Sequence, residues 1–277
     1  FVKVSTWRGN FETFGSKNYK RVEPKLDEIE YNLGAFKHIL EFVVEEALND
    51  RVEIGSDMFV IDGKYPSKIL AGIEIKDKSY LAMFKDYKDV PKEVTEFNTY
   101  IQPHLKDYGS RGFFSTEIRV GKDKKPYMTD FCSRNGSPPN ELYQAMWDNL
   151  AEIVWYGADG ILVDPKSKYK FGAEVILHSS WADKNWQPIT FPKEIRQYVK
   201  LRNACKIKNE YYVIPQAIGL PEIGAVIGFG NTKEEAIEHA KENARQVDGY
   251  YIECYEDSLD SAEEELKKTE DLGINLF

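Results

Sequence analysis

Cysteine is scarce in this chain of 277 residues: Cys132, Cys205 and Cys254 are an odd set with no CxxC spacing. That excludes a disulfide scaffold and a structural zinc site, and it suits a reducing compartment, so a cytoplasmic setting is expected. The histidines His38, His104, His178 and His239 are scattered without metal-ligand spacing and receive no role. No apolar run approaches the roughly 20 residues that cross a bilayer, and no signal peptide is visible, so no membrane partner is expected. Positive charge is in the minority. With 37 Lys and Arg against 46 Asp and Glu, the net charge is −9. That argues against nucleic acid as a partner, though not against a local basic pocket for a nucleotide. No internal repeat and no low-complexity segment interrupts the sequence.

What is present is a composition of 42% hydrophobic and 13% aromatic residues, that of a packed protein with room for about two domains. The opening FVKVSTW reads as an interior strand, which raises the expectation that an N-terminal domain is missing before it.

The segment Gly109 to Asn140 holds the chemistry. A turn at Gly109, Ser110 and Gly112 leads into a strand, Phe113 to Val120, bearing Glu117 and Arg119. A charged hairpin, Gly121 to Pro126, returns the chain as a second strand, Tyr127 to Phe131, bearing Asp130, before Arg134, Gly136, Pro138 and Pro139. Residues of matching parity on neighbouring strands share a sheet face, so Glu117 and Asp130 can face each other with Arg119 and Arg134 nearby. Such a pair can hold a hard divalent cation against phosphate oxygens, or it can be a salt-bridged hairpin and no more.

Elsewhere, residues 1–8 predict a strand that turns at Arg8-Gly9-Asn10. The spacing of Leu33, Phe36, Ile39 and Leu40 predicts a helix from Asn32 or Gly34 to Glu41, and the run Phe42-Val43-Val44 that follows is rich in β-branched residues. Val52 to Ile61, the turn Asp62-Gly63 and Lys68 to Ile75 predict a hairpin. A short helix is expected at Ser79 to Phe84, irregular chain at Asn98 to Pro103, and one helix over Glu141 to Trp155. From Phe171 the character becomes β-rich, with strands at Ala173 to Leu177, Tyr211 to Gln216, Ala225 to Phe229 and Tyr250 to Glu253. Thr232 and Glu235 form a capping box for a helix over Lys233 to Gln246, and a charged helix follows at Ser261 to Leu272.

Taken in order, these pieces resemble the ATP-grasp superfamily of ATP-dependent carboxylate ligases, and within it most closely the phosphoribosylamine–glycine ligases. VKVSTWRGNFET is similar to the family's lysine strand and phosphate-covering loop, and VVEEALNDRVEIGSDMFVIDG to its adenine hinge and ribose-binding strand. EIKDK is similar to the segment before its acceptor loop, TDFCSRNGSPP to its metal-binding strand, and GAVIGFGNTKEEAIEHAKENA to its closing strand–turn–helix. The resemblance implies an α+β ATP-grasp fold, two α+β subdomains (1–48 and 49–170) sandwiching ATP, followed by a smaller β-rich C-terminal subdomain, 171–277.

It also implies roles. Lys3, Ser5, Arg8 and Gly9 would hold the ATP phosphates; Glu45, Glu46, Ala47 and Leu48 would read adenine, and Glu53 the ribose. Glu117 and Asp130 would hold Mg2+ or Mn2+. Arg134, with Lys3, would stabilise the phosphoryl in transfer, and Lys76, Asn98, Arg119, Arg134, Asn135 and Gly136 would line the substrate side. The implied function is an ADP-forming carboxylate–amine ligase working through an acyl phosphate, with ATP and a small acid and amine as partners. The alternative is a regulatory ATP-grasp module that binds nucleotide without turnover. Two departures bear on this choice. Cys132 stands where the family has a metal-binding Asn, and a thiol is a poor Mg2+ ligand. The glycine-rich acceptor loop appears only as Asn98-Thr99-Tyr100-Ile101, which implies substrates other than the purine-pathway pair. Asp57 is read as exposed or capping, with a ribose contact as the lesser alternative.

Overall fold

The computed structural model describes residues 2–4, 15–16, 18–39 and 41–277, with the backbone alone for Lys3, Val4 and Ile39. The chain divides into two compact units, residues 1–50 and 51–277.

In the first unit, β1 (Val2–Val4) pairs antiparallel with β2 (Phe42–Val44), Lys3 opposite Val43. Between them lies α1 (Tyr19–Leu33), whose first turn is capped by the Asn18 side chain accepting from the Lys20 N–H. Gly34, at φ 51°, ends it. Where a helix from Asn32 or Gly34 to Glu41 is predicted, Gly34–Ile39 is a 3-10 segment; the full helix occupies the charged residues before it, where only Ile29 is buried. The predicted turn at Arg8-Gly9-Asn10 lies outside the described residues.

The second unit is organised by one nine-stranded sheet. Its first hairpin is β3 (Val52–Ile61) and β4 (Lys68–Ile75), turning at Asp62 and Gly63, both with positive φ (49° and 76°). A Cβ on Gly63 would stand 2.6 Å from the Lys106 Cβ, so the turn needs glycine for space as well as for φ. Next comes β5 (Ser79–Asp86), a strand where a short helix is predicted. Its run Tyr80-Leu81-Ala82 is buried on both sheet faces, and such strands carry no alternation to betray them. α2 (Lys92–Asp107) includes the stretch expected to be irregular, with Pro103 inside the helix.

β6 (Arg111–Val120) and β7 (Pro126–Cys132) form the predicted hairpin. Then α3 (Pro139–Met146) and α4 (Leu150–Ala158) replace the single predicted helix. The break is held by Asn149, whose side chain bonds the Asp164 carbonyl and the Lys166 N–H, while Trp147 turns inward onto Phe59 and Tyr143. Phe171, the expected start of a C-terminal subdomain, is the first residue of β8 (Phe171–Ser179), which pairs with β5 and, on its other side, with a later strand, so the sheet runs continuously across that position.

The remaining strands are β9 (Gln187–Thr190), β10 (Val199–Leu201), β11 (Ala204–Ile207), β12 (Glu210–Val213), β13 (Glu222–Gly230), β14 (Asp248–Gly249) and β15 (Ile252–Cys254), with helices α5 (Lys233–Ala244) and α6 (Ser258–Asp271). The large sheet runs β10-β13-β8-β5-β4-β3-β6-β7, with β15 also on β8; β11-β12-β9-β14 make a small sheet. The predicted capping box is present at Thr232 and Glu235. Side-chain parity divides the large sheet. Ile54, Met58, Leu81, Phe114 and Val175 meet α2, α5 and α6 on one face; Leu70, Tyr80, Ala82 and Ile227 meet α3 and α4 on the other. The second face is only partly covered, and it carries the acidic residues.

Candidate functional site

Glu117 and Asp130 are direct partners in the β6–β7 register, so the two carboxylates share one face as parity demands. A bulge follows at once: Ile118 pairs with Met128, which leaves Thr129 over, its hydroxyl donating to the Glu117 carbonyl at 3.2 Å. Along β3, Gly55 pairs with Glu117, Glu53 with Arg119 and Asp57 with Ser115, so Glu53 and Asp57 lie on the same face. A Cβ at position 55 would stand 3.2 Å from the Thr116 carbonyl oxygen.

Few cations balance these acids. Arg119 pairs with Glu53. Glu117 is pushed up to about 7, first by burial and then by Glu53, Asp130 and Asp57, with Lys76 opposing. Glu74, on β4, is pushed to about 9 by burial and then by Glu117, Asp57 and Glu53. A face with this much uncompensated negative charge favours a bound cation. Among the described residues no group of three or more His, Cys, Asp or Glu side chains is arranged to hold a metal, so an ion here would rest on the carboxylate pair.

Asp57 is fully buried, which corrects the expectation of an exposed or capping residue. Its carboxylate accepts from the Tyr80 hydroxyl and, at 2.6 Å, from Ser115. Burial raises Asp57 to about 6 against the pull of those two donors. A Cβ on Gly136 would come within 3.2 Å of the Asp57 Oδ1, so the chain after β7 folds back over this carboxylate. Arg134 and Asn135 belong to that return; Arg134 is exposed, its Nη1 on the Asn135 carbonyl at 2.6 Å.

The predicted residues therefore separate. Glu53, Glu117, Arg119 and Asp130 share a face, Lys76 is within electrostatic reach of Glu117, and Gly136 closes over Asp57. Asn98 does not join them. It lies inside α2 with no exposed surface, its amide on the Ser56 Oγ at 3.5 Å, so the expected substrate contact is corrected to a core hydrogen bond. Glu45, Glu46, Ala47 and Leu48 follow β2 in the first unit, Glu46 and Ala47 exposed and Glu45 and Leu48 half-buried. Ser5, Arg8, Gly9 and the Lys3 side chain lie outside the described residues.

Sequence reading passed over Tyr80, Glu74 and the buried Glu174 of β8. A lone acid within an apolar strand, as in Gly-Ala-Glu-Val-Ile, is the signal that marks Glu174.

No protein-family model matches the chain, and no curated protein matches it in sequence. Solved structures do resemble it. The Thermotoga maritima phosphoribosylamine–glycine ligase superposes with a TM-score of 0.64 at 18% identity, over 84% of this chain and 62% of that one. The Bacillus licheniformis L-amino acid ligase gives 0.54 at 16% identity, over 90% and 64%. The biotin carboxylase domain of the Hydrogenobacter thermophilus 2-oxoglutarate carboxylase, solved with MgADP and bicarbonate, gives 0.60 at 11% identity, over 92% and 60%. The chain thus spans less than two thirds of each of these proteins. Its fold, a mixed α/β arrangement on antiparallel sheets, is the ATP-grasp fold of these ligases.

Proposed function

We propose that the chain is the ATP-binding part of an ADP-forming ligase that joins a carboxylate to an amine. The observation that carries this is the Glu117–Asp130 pair, set in register on an acidic sheet face of a fold shared with such ligases. Two carboxylates with excess negative charge fit Mg2+ or Mn2+, ions commonly bound by one or two carboxylates with nucleotide phosphates filling the other positions. Bound there, the ion would neutralise phosphate charge.

The residues divide the work. Glu53 holds Arg119 and lies where the ribose is expected; Lys3, Ser5, Arg8, Gly9 and Glu45 to Leu48 supply the phosphate and adenine contacts. Arg134 stabilises the phosphoryl as a substrate carboxylate oxygen bonds to the γ-phosphorus and ADP departs. An amine then attacks the acyl carbon, phosphate leaves, and the nitrogen gives up a proton. This chemistry asks mainly for positioning and for aimed positive charge, so the absence of an activated side-chain nucleophile is no obstacle. With Asn98 in the core and no glycine-rich acceptor loop, the acid and amine differ from the purine-pathway pair. A cytoplasmic setting and a further N-terminal domain belong to the same reading.

The test is release of ADP and phosphate from Mg-ATP by the full-length protein across a panel of acids and amines. Release requiring both an acid and an amine supports the ligase; none across the panel overturns it.

A second reading, a nucleotide-binding module without turnover, has one specific observation behind it. Cys132 pairs with Ser115 in the strand register, so it shares the face of Asp130 and offers a thiol where the resemblance expects an amide. Cys132→Asn separates the two. A sharp gain of ATPase activity favours the module, and loss or no change favours the ligase.

A further inference from the structure

Charge is unevenly spread along the chain. Residues 184–208 carry seven Lys and Arg against one acid, Glu194, in a protein of net charge −9. Of the seven, only Arg202 makes an ion pair. Arginine shows the contrast best. Of the seven arginines in the second unit, five pair with a carboxylate; Arg134, assigned to the phosphoryl in transfer, and Arg196 do not. Where acids are in surplus, an arginine left without one is open to an anion from outside.

The fold gathers part of this charge on one ring. Lys206 of β11 and Tyr211 of β12 are direct partners in the register of the small sheet. The Lys206 ammonium lies 5.3 Å from the centre of the Tyr211 ring, and the Arg196 guanidinium, coming from the turn before β10, lies 5.2 Å from it. The Arg196 Nε also donates to the Tyr211 Oη at 2.7 Å. Tyr211 is a fixed post. It is half-buried, packs on a hydrophobic core cluster and stacks on Phe191 at 5.3 Å. Arg196 and Lys206 are exposed. Lys200 of β10 adds to the same field, its ammonium held below the ordinary lysine range by burial and then by Arg196.

What the group offers is donors. The terminal nitrogens of Arg196 bond no other described residue, and the Tyr211 oxygen, which accepts from Arg196, keeps its own hydrogen to give. Lys206 adds an ammonium with three more. A guanidinium fork takes two oxygens of one ligand, which leaves the hydroxyl and the ammonium for a third. A carboxylate ends in only two oxygens, a phosphate group in three. A small anion also suits the place better than a nucleic-acid strand. The chain's net charge repels a long polyanion, whereas a single group meets only the local field within about 10 Å. We propose that Arg196, Tyr211 and Lys206 form a binding site for a phosphate group, borne by a small phosphate ester or free as inorganic phosphate. None of the three is among the residues predicted for ATP, metal or substrate, so the site does not rest on the ligase reading.

The test is calorimetric titration of the full chain, at low ionic strength and without nucleotide or divalent metal, with inorganic phosphate, glycerol 3-phosphate and acetate. Both phosphates are expected to bind at least about tenfold more tightly than acetate, and the tighter of the two names the source. Arg196→Gln should weaken them about tenfold or more, and Lys206→Gln and Tyr211→Phe several-fold each. Arg196 and Lys206 are exposed, so their variants keep the fold and carry the comparison should Tyr211→Phe unfold. No binding, equal binding of acetate, or phosphate binding undiminished in Arg196→Gln and Lys206→Gln overturns the site. Binding lost in Arg134→Gln and retained in Arg196→Gln also overturns it, since the anion then sits beside Arg134. A single-stranded oligonucleotide bound far more tightly than either phosphate, through the same side chains, overturns it in favour of a strand.

Discussion

Tyr80 reaches Asp57 by lying across Gly72. A Cβ at position 72 would stand 2.4 Å from the Tyr80 hydroxyl oxygen and ring, so the buried Tyr80–Asp57 hydrogen bond exists because β4 has no side chain there. Gly72→Ala is expected to destabilise the protein by about 2–4 kcal/mol, since the fully packed ring has nowhere to move. Tyr80→Phe, which removes one of the two hydroxyls donating to Asp57 and leaves Ser115, should cost about 1–3 kcal/mol. Urea denaturation of both variants measures this; a wild-type midpoint for Gly72→Ala would show that Tyr80 has room after all.

The acidic face sets a pH dependence with a definite sign. Asp57 rises from 3.8 to about 6 and Glu74 from 4.5 to about 9 on folding. The folded protein thus holds protons that the unfolded chain has released, and stability falls with rising pH across that window. Metal-free protein should lose on the order of a few kcal/mol between about pH 5 and 9, and Glu74→Gln should flatten the upper part of the curve. Stability that rises over this range would contradict the crowding of these carboxylates.

Divalent cations should oppose that loss through Glu117 and Asp130. Glu117→Gln and Asp130→Asn are each expected to remove most of the Mg2+-dependent part of the thermal stabilisation given by ATP. A thermal shift with and without the ion reads this directly. A full Mg2+ effect in both variants would move the metal elsewhere.

Lys85 ties the C-terminal residues to the sheet. Its Nζ donates to the carbonyls of Asn275 and Leu276 at 3.1 and 3.0 Å, and Ile274 and Leu276 are buried beside it. Leu276→Ala should cost about 2–5 kcal/mol, as at other well-packed leucines. Lys85→Met should cost about 1–3 kcal/mol, because two carbonyls, the one of Leu276 buried, lose their donor. Equilibrium unfolding checks both.

Some of this was legible in the residues. The Glu117–Asp130 partnership was expected from parity across a short turn, and the Thr129 bulge between the turn and the pair makes it: the register next to the turn, Val120 with Pro126 and Ile118 with Met128, would otherwise set Glu117 against Thr129. The Asp62-Gly63 turn and the Thr232 capping box are local devices, read locally. The misreadings have physical causes. β5 is apolar on both faces, so its period vanishes; α2 tolerates Pro103, which mimics a break; and α1 buries little beyond Ile29, so it shows no apolar stripe. Asp57 was misjudged because an isolated Asp suggests solvent, and its donors Tyr80 and Ser115 come from strands distant in sequence. Glu174 raised no signal beyond being acidic in apolar company.

The bulged β7 is the outermost strand of the large sheet, joined among the described residues to β6 alone. Half of the carboxylate pair therefore rides on an edge strand, laddered on one side, and its mate sits one strand inward. An ion between them would act as a rivet, fastening the margin of the sheet to its interior. Occupancy would then be written into the backbone: amides of Tyr127 to Cys132 should exchange with solvent more slowly when the ion is held, so this margin reports whether the protein is loaded.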